Sequence, residues 1–178
     1  DDAMHTLIQR GAEGARWERS ADMPELMYML LTRRGVESSE AARAFLYPDA
    51  ADLHDPLLLG GMAEAVERIK KARDAGETVC VYGDYDVDGV CATSILTLYF
   101  RALGLNCVHY IPDRHAEGYG LNDAAMEKIA QSATLLVTVD CGVSCAHEVE
   151  TAKALGLDVI VTDHHRPGEI LPDCTVIN

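Results

Sequence analysis

Basic residues are scarce in this chain: 15 lysines and arginines stand against 29 aspartates and glutamates, a formal charge of −14 over 178 residues. That shortage excludes a basic stripe of the kind that grips nucleic acid non-specifically. It leaves a polyanionic substrate open, because bound cations invert the local field. Apolar runs of membrane-spanning length are missing, and no secretory leader is visible. No membrane partner is therefore expected, and the cytoplasm is the expected location. The six cysteines (Cys80, Cys91, Cys107, Cys141, Cys145 and Cys174) are scattered, mostly within apolar stretches. Cys141 and Cys145 lie four apart without a second pair. Buried reduced thiols are expected rather than a disulfide framework or a zinc–thiolate site. An apolar fraction of 48% suffices for a real core, and the length suits one domain with at most a small appendage.

What the chain does have is concentrated acid. In Val81-Tyr82-Gly83-Asp84-Tyr85-Asp86-Val87-Asp88-Gly89 three carboxylates alternate. Alternate side chains of an extended segment share a face, so Asp84, Asp86 and Asp88 converge if the chain stays extended. Like charges held together call for a cation or a proton, and a divalent metal is the first expectation. The same spacing opens an EF-hand calcium loop, which needs a glutamate at its twelfth position. Counted from Asp84, that position is Ile95, and the EF-hand reading fails. A haloacid dehalogenase-like nucleophile is a third reading, with an aspartyl-phosphate at Asp84.

The first 60 residues read as a helical N-terminal extension. Residues 1–3, before Met4, read as a cloning remnant and are left out of the fold. Helices are expected over 24–34 and from a Ser38-Ser39 cap to near Tyr47. A loop-like passage over 52–59 closes with Gly60-Gly61. From residue 61 to 178 the pattern changes to alternation. Helices are expected at 62–75, 90–103, 121–131 and 144–155. Strands are expected at 78–82, 106–111, 134–139 and 157–162, with another beginning at Val176. Short apolar strands alternating with helices indicate an α/β fold, a parallel, doubly wound sheet flanked by helices.

On that frame the polar residues fall at the carboxyl ends of strands, where open α/β sheets bind ligands. Asp84 follows the first strand, Arg114 the second, Asp140 the third, and Asp163-His164-His165 the fourth. Adjacent histidines diverge in extended backbone, so one suits a metal and the other a substrate. Asp140 suits a bridging carboxylate, with a helix N-cap as the plainer alternative. Arg114 suits a substrate phosphate. Gly118-Tyr119-Gly120 is only a fragment of a dinucleotide fingerprint, so no organic cofactor is expected. His5, His54, His109 and His147 lack such context and read as structural, and His115 has no assigned role.

The order of these motifs resembles the DHH phosphoesterases, named for the triplet seen here as Asp163-His164-His165. The matching pieces are the segment from Gly83 to Gly89, Ile111-Pro112-Asp113-Arg114 with Glu117-Gly118-Tyr119-Gly120-Leu121, Val137-Thr138-Val139-Asp140-Cys141-Gly142, and Val161 to Gly168. The approach Phe45-Leu46-Tyr47-Pro48 and Leu53-His54-Asp55-Pro56 is similar to the single-strand-specific exonucleases of the family. The resemblance implies Asp86, Asp88, Asp140 and His164 as ligands of a two-metal Mn²⁺ or Mg²⁺ centre, with Asp84 beside them. It implies His165 and Arg114 as contacts of the scissile phosphate, and hydrolysis of single-stranded DNA from the 5′ end to mononucleotides in repair and recombination. Single-stranded DNA, a single-strand-binding protein and a helicase are the implied partners. An oligonucleotide or cyclic-dinucleotide phosphodiesterase and an inactive replication scaffold are the alternatives. The family has a further metal-binding aspartate and a DHH-associated domain beyond the triplet, and neither precedes Asn178. The chain is therefore expected to be the catalytic N-terminal part of a longer protein, binding metal weakly and hydrolysing little by itself.

Overall fold

The computed structural model describes residues 17–178. The start of the expected helical extension, the remnant at 1–3 and His5 lie outside the described residues. The chain divides into two compact units, one ending at Asp55 and the other running Pro56–Asn178.

In the first unit, helix α1 (Glu25–Arg33) follows Pro24, whose fixed φ suits a helix start. Helix α2 (Ser39–Leu46) is capped by Ser38, whose hydroxyl accepts from the Ala41 amide at 3.0 Å. Their apolar faces enclose a small core of Trp17, Leu31, Val36 and Ala42. The Trp17 and Tyr28 rings pack at 4.6 Å. A 3-10 turn, Ala50–Asp52, follows.

The second unit opens with a 3-10 turn at Pro56–Leu58 and helix α3 (Met62–Ala75), which Gly76 ends in the left-handed conformation. Then come β1 (Thr78–Gly83), α4 (Val87–Ala102), β2 (Asn106–Tyr110), α5 (Asp123–Ala130), β3 (Leu135–Val139), α6 (Ala146–Ala154), β4 (Asp158–Thr162) and β5 (Thr175–Ile177). All pairings are parallel and the strand order is β2-β1-β3-β4-β5. Alternation along the strands supplies both faces. Cys80, Tyr82, Leu136, Val159 and Val161 face α5 and α6 through Ala125, Met126, Ile129, Val149 and Ala152. Val79, Val81, Leu135, Val137 and Ile160 face α3 and α4 through Ala65, Ala72 and Phe100. A sheet covered on both faces explains why its strands read as continuous apolar runs. Among the described residues no helix is long and apolar enough to cross a membrane.

Two expectations are corrected here. The acidic segment does not stay extended: α4 begins at Val87, three residues earlier than expected, because Asp86 caps it by accepting from the Gly89 amide at 3.0 Å. Of the six cysteines, all free, Cys91 is exposed rather than buried, while Cys145 and Cys174 are half-buried. His54, His109 and His147 are exposed.

Candidate metal centre

In strand order 2-1-3-4-5, connections leave β1 and β3 in opposite directions, and the gap between their carboxyl ends forms a natural crevice. Asp84 leaves β1 at that gap and Asp140 leaves β3. Gly89 brings the first turn of α4 against this end of the sheet. A Cβ there would lie 2.4 Å from the Asp84 carbonyl oxygen, so no larger residue permits the approach. The same contact sets Asp86 beside Asp84. One carboxylate oxygen from each of Asp84, Asp86 and Asp140 lies within 4.8 Å of the other two.

Asp88 is not in that group. It sits in the first turn of α4 and lines the neighbouring cleft with Cys91, Ile95, Asp140 and His164. Alternation along an extended strand therefore does not describe this segment. The geometry joins Asp84 and Asp86, and the helix turns Asp88 toward the cleft wall.

Asp140 has φ 61, the left-handed region that an L-residue adopts at a cost, and the only such non-glycine among the described residues. Its amide donates to the Thr162 carbonyl at 3.1 Å, and Gly142 follows with φ 110. Asp140 does not cap α6: Cys145 holds the N-cap position without a side-chain bond. Its carboxylate instead meets His164 Nε2 at 2.9 Å. His165 Nδ1 lies 4.0 Å from the same oxygen.

The two histidines do not diverge, as extended backbone would require. Their rings lie 4.5 Å apart. Asp163 is the cause. Its Oδ1 accepts from the His164 amide at 2.7 Å, the His165 amide at 3.1 Å and His165 Nδ1 at 2.8 Å, while Oδ2 accepts from the Val143 amide at 3.0 Å. One carboxylate thus curls the chain after β4 and turns both rings toward Asp140. This role of Asp163 was not drawn from the sequence, although an aspartate just past a strand is a turn signal.

Electrostatics sharpen the picture. The Gly89 amide holds the Asp86 carboxyl below its usual range. Burial pushes the Asp140 carboxyl up, and the Asp86 charge adds to this against the opposing His164. Burial raises the Asp163 carboxyl, yet the amides of Val143 and His165 outweigh it and leave the group lowered. Its hydrogen bond to Asp163 raises the His165 ring. Asp84 is 3% exposed, and its Oδ1 has no hydrogen-bond partner among the described residues. An unpaired buried carboxylate oxygen facing two further carboxylates is costly unless a cation fills the space. The donors, carboxylate oxygens and imidazole nitrogens, suit Mn²⁺ or Mg²⁺. The residues present fit such an ion.

The cleft has a volume of about 490 Å³, and Ala92, Ile95, Val139 and Ile177 form the apolar part of its lining. Next to Asp84 and Asp86 in the chain, the Tyr85 ring carries the Arg114 guanidinium, 5.3 Å from its centroid. Among the described residues Arg114 has no carboxylate partner and stands free for an anion. Tyr119, which the sequence reading left without a role, is exposed beside His165. Its hydroxyl lies 3.4 Å from Nδ1.

The fold and this cluster define a class: a doubly wound α/β domain whose β1–β3 crevice carries an acid–histidine cluster with donors suited to hard divalent cations. Comparison with known proteins is more specific. Residues 78–178 match the N-terminal domain of the DHH family, and the chain belongs to that family. It is 46% identical over 153 residues to a Bacillus subtilis protein described as single-stranded-DNA-specific exonuclease RecJ, covering 85% of this chain and 20% of that one. A solved structure of exonuclease RecJ bound to manganese matches with TM-score 0.66 and 37% identity, over 70% of this chain and 32% of the other. RecJ from Thermus thermophilus in complex with Mn²⁺ matches with TM-score 0.67 and 26% identity, over 97% of this chain and 23% of the other. The chain thus spans a third or less of each of these proteins.

Proposed function

We propose that this chain is the catalytic DHH part of a metal-dependent exonuclease that hydrolyses single-stranded DNA from its 5′ end. The observation that carries the reading is Asp140: one carboxylate shared by the Asp84–Asp86 group and the His164–His165 group, with a partnerless Asp84 oxygen beside it. Asp84, Asp86, Asp140 and His164 would hold Mn²⁺ or Mg²⁺, Asp140 being common to both residue groups. When bound, such a pair lowers the pKa of a water and neutralises charge on a phosphoryl group. The substrate class is supported by the RecJ relatives, which are named as single-stranded-DNA-specific.

The chain's own groups supply the remaining work. Arg114, stacked over Tyr85 and without an acidic partner among the described residues, pairs with a phosphate of the strand. His165, held by Asp163 with its ring pKa raised, donates a hydrogen bond to a phosphate oxygen. Asp88 lines the cleft and would offer a further carboxylate to a second ion. With a net charge of −14, the chain's attraction for DNA depends on the cations it holds. The family resemblance adds a single-strand-binding protein and a helicase as partners in repair; the cytoplasm is the location expected from the sequence.

The test is hydrolysis by the full-length protein in Mn²⁺ of a 3′-labelled single-stranded oligonucleotide, the corresponding duplex and a cyclic dinucleotide. Mononucleotide release from the single strand alone, lost in Asp140→Asn, is the expected result. Cleavage confined to the dinucleotide would favour the short-substrate phosphodiesterases of the family. A protein that takes up no Mn²⁺ by calorimetry, with Asp86→Ala as control, would be a scaffold instead.

A further inference from the structure

The segment from Ile111 to Gly120 sets Arg114 over the Tyr85 ring and Tyr119 beside His165, yet it contains no helix or strand. Side chains hold it in place. Glu117 Oε1 accepts from the Asp113 amide at 3.0 Å, and the Glu117 amide donates back to the Asp113 carbonyl at 2.8 Å. Glu117 Oε2 accepts from the Tyr110 hydroxyl at 2.7 Å and from Asn122 Nδ2 at 3.2 Å. Asn122 caps α5 by accepting from the Ala125 amide at 2.8 Å. The buried Tyr82 donates to the Gly120 carbonyl at 2.8 Å and stacks on Tyr110 at 5.4 Å. Gly118 and Gly120, both at positive φ, turn the chain on either side of Tyr119.

Three donors from the end of β2, the loop itself and the start of α5 therefore converge on one carboxylate. An ionised carboxylate, which only accepts, satisfies all three, whereas an amide would set an N–H against another donor. The Asp113 amide, followed by the Tyr110 hydroxyl, holds the Glu117 carboxyl below its usual range. Burial and the bond to Glu117 raise the Tyr110 hydroxyl to about 12. Both groups keep the protonation states that the bond needs across the neutral range.

We propose that Glu117 is a positioning residue: it presets the loop so that Arg114 and Tyr119 meet the strand without reordering, and thereby governs substrate affinity. The proposal rests on the reading of the cleft as a phosphodiesterase site. Glu117 itself touches neither the acid–histidine cluster nor the cleft. A preset loop saves the ordering cost that a mobile one would meet on binding. Its loss consequently appears in KM before kcat.

The experiment compares full-length wild type, Glu117→Gln, Glu117→Ala and Tyr110→Phe. KM and kcat are measured in Mn²⁺ on a 3′-labelled single-stranded oligonucleotide, and amide hydrogen exchange is followed by mass spectrometry. Both Glu117 variants are expected to raise KM about tenfold, with kcat within about threefold of wild type. Exchange should quicken in peptides covering 111–121 while the β1 and β3 peptides stay protected. Tyr110→Phe, which leaves two of the three donors, should raise KM less. If Glu117→Ala fails to fold, Glu117→Gln and Tyr110→Phe decide. An active wild type whose Glu117→Gln variant keeps its KM and its loop protection overturns the proposal alone. A fall in kcat without a change in KM does the same. A wild type that leaves the oligonucleotide intact overturns the reading of the cleft, and the role of Glu117 with it.

Discussion

Asp140 combines a strained backbone, a raised carboxyl and two sets of partners, the combination expected of a ligand in the proposed metal centre. Replacing it by asparagine retains the shape and removes one of three crowded charges. Asp140→Asn should therefore unfold no earlier than wild type in the absence of metal. Its Mn²⁺ affinity should fall by more than the ~10–100-fold that losing a supporting group costs. Calorimetric titration beside a metal-free melting curve separates the two effects, and equal Mn²⁺ affinities would remove Asp140 from the site. At this scale the sequence was partly legible. Asp84, Asp140 and the histidine pair could be placed at strand ends, because a strand end is visible where an apolar run stops. The direction of the histidines was not, because it depends on how Asp163 bonds the two amides after it. The standing of Asp88 was also hidden, because it turns on a cap that fixes where α4 begins.

Helix α4 reaches the site through a close backbone contact. Gly89 lets α4 approach the end of β1, and Gly89→Ala would force its Cβ into the Asp84 backbone. We expect that substitution to cost about 1–3 kcal/mol in denaturant unfolding and to weaken Mn²⁺ binding together with it. Retained affinity would show that the helix start does not set Asp84 and Asp86. At the opposite end of the sheet Arg68 of α3 joins Glu77 at 2.8 Å and Asp158 at 2.6 Å, and Thr134 also donates to Glu77. Three strand starts are thus tied to one helix. The hydrogen bond from Arg68, with that of Thr134, lowers the Glu77 carboxyl. A lowered folded-state value stabilises fully above the unfolded value, and the contribution fades as pH falls through the folded one. Glu77→Gln should accordingly lose stability at neutral pH, and its difference from wild type should shrink in acid. A pH series of melting curves reads this directly, and a gap that widens in acid would contradict it.

At the scale of the whole molecule, each unit holds its own apolar core, and every residue of the acid–histidine cluster belongs to Pro56–Asn178. That segment alone should fold and respond to metal. At a free Mn²⁺ concentration of ~100 Kd it should gain about 2.7 kcal/mol of stability, seen as a rise in melting temperature. An unchanged melting temperature in excess Mn²⁺ would show that the site needs more of the protein than this unit.

By itself the sequence determined the layered architecture. Apolar runs such as Leu135-Leu136-Val137 and Val159-Ile160-Val161, separated by amphipathic helices, can bury their faces only in a covered parallel sheet. It also determined the kind of chemistry, since acids, an arginine and two histidines recur where strands stop. Only the tertiary structure decided which of them meet. Strand order places the ends of β1 and β3 beside each other, the close approach of Gly89 adds Asp86, and the Asp163 turn folds His164 and His165 onto Asp140. Those are distances between residues up to 81 positions apart in the chain, from Asp84 to His165, and no local pattern encodes them.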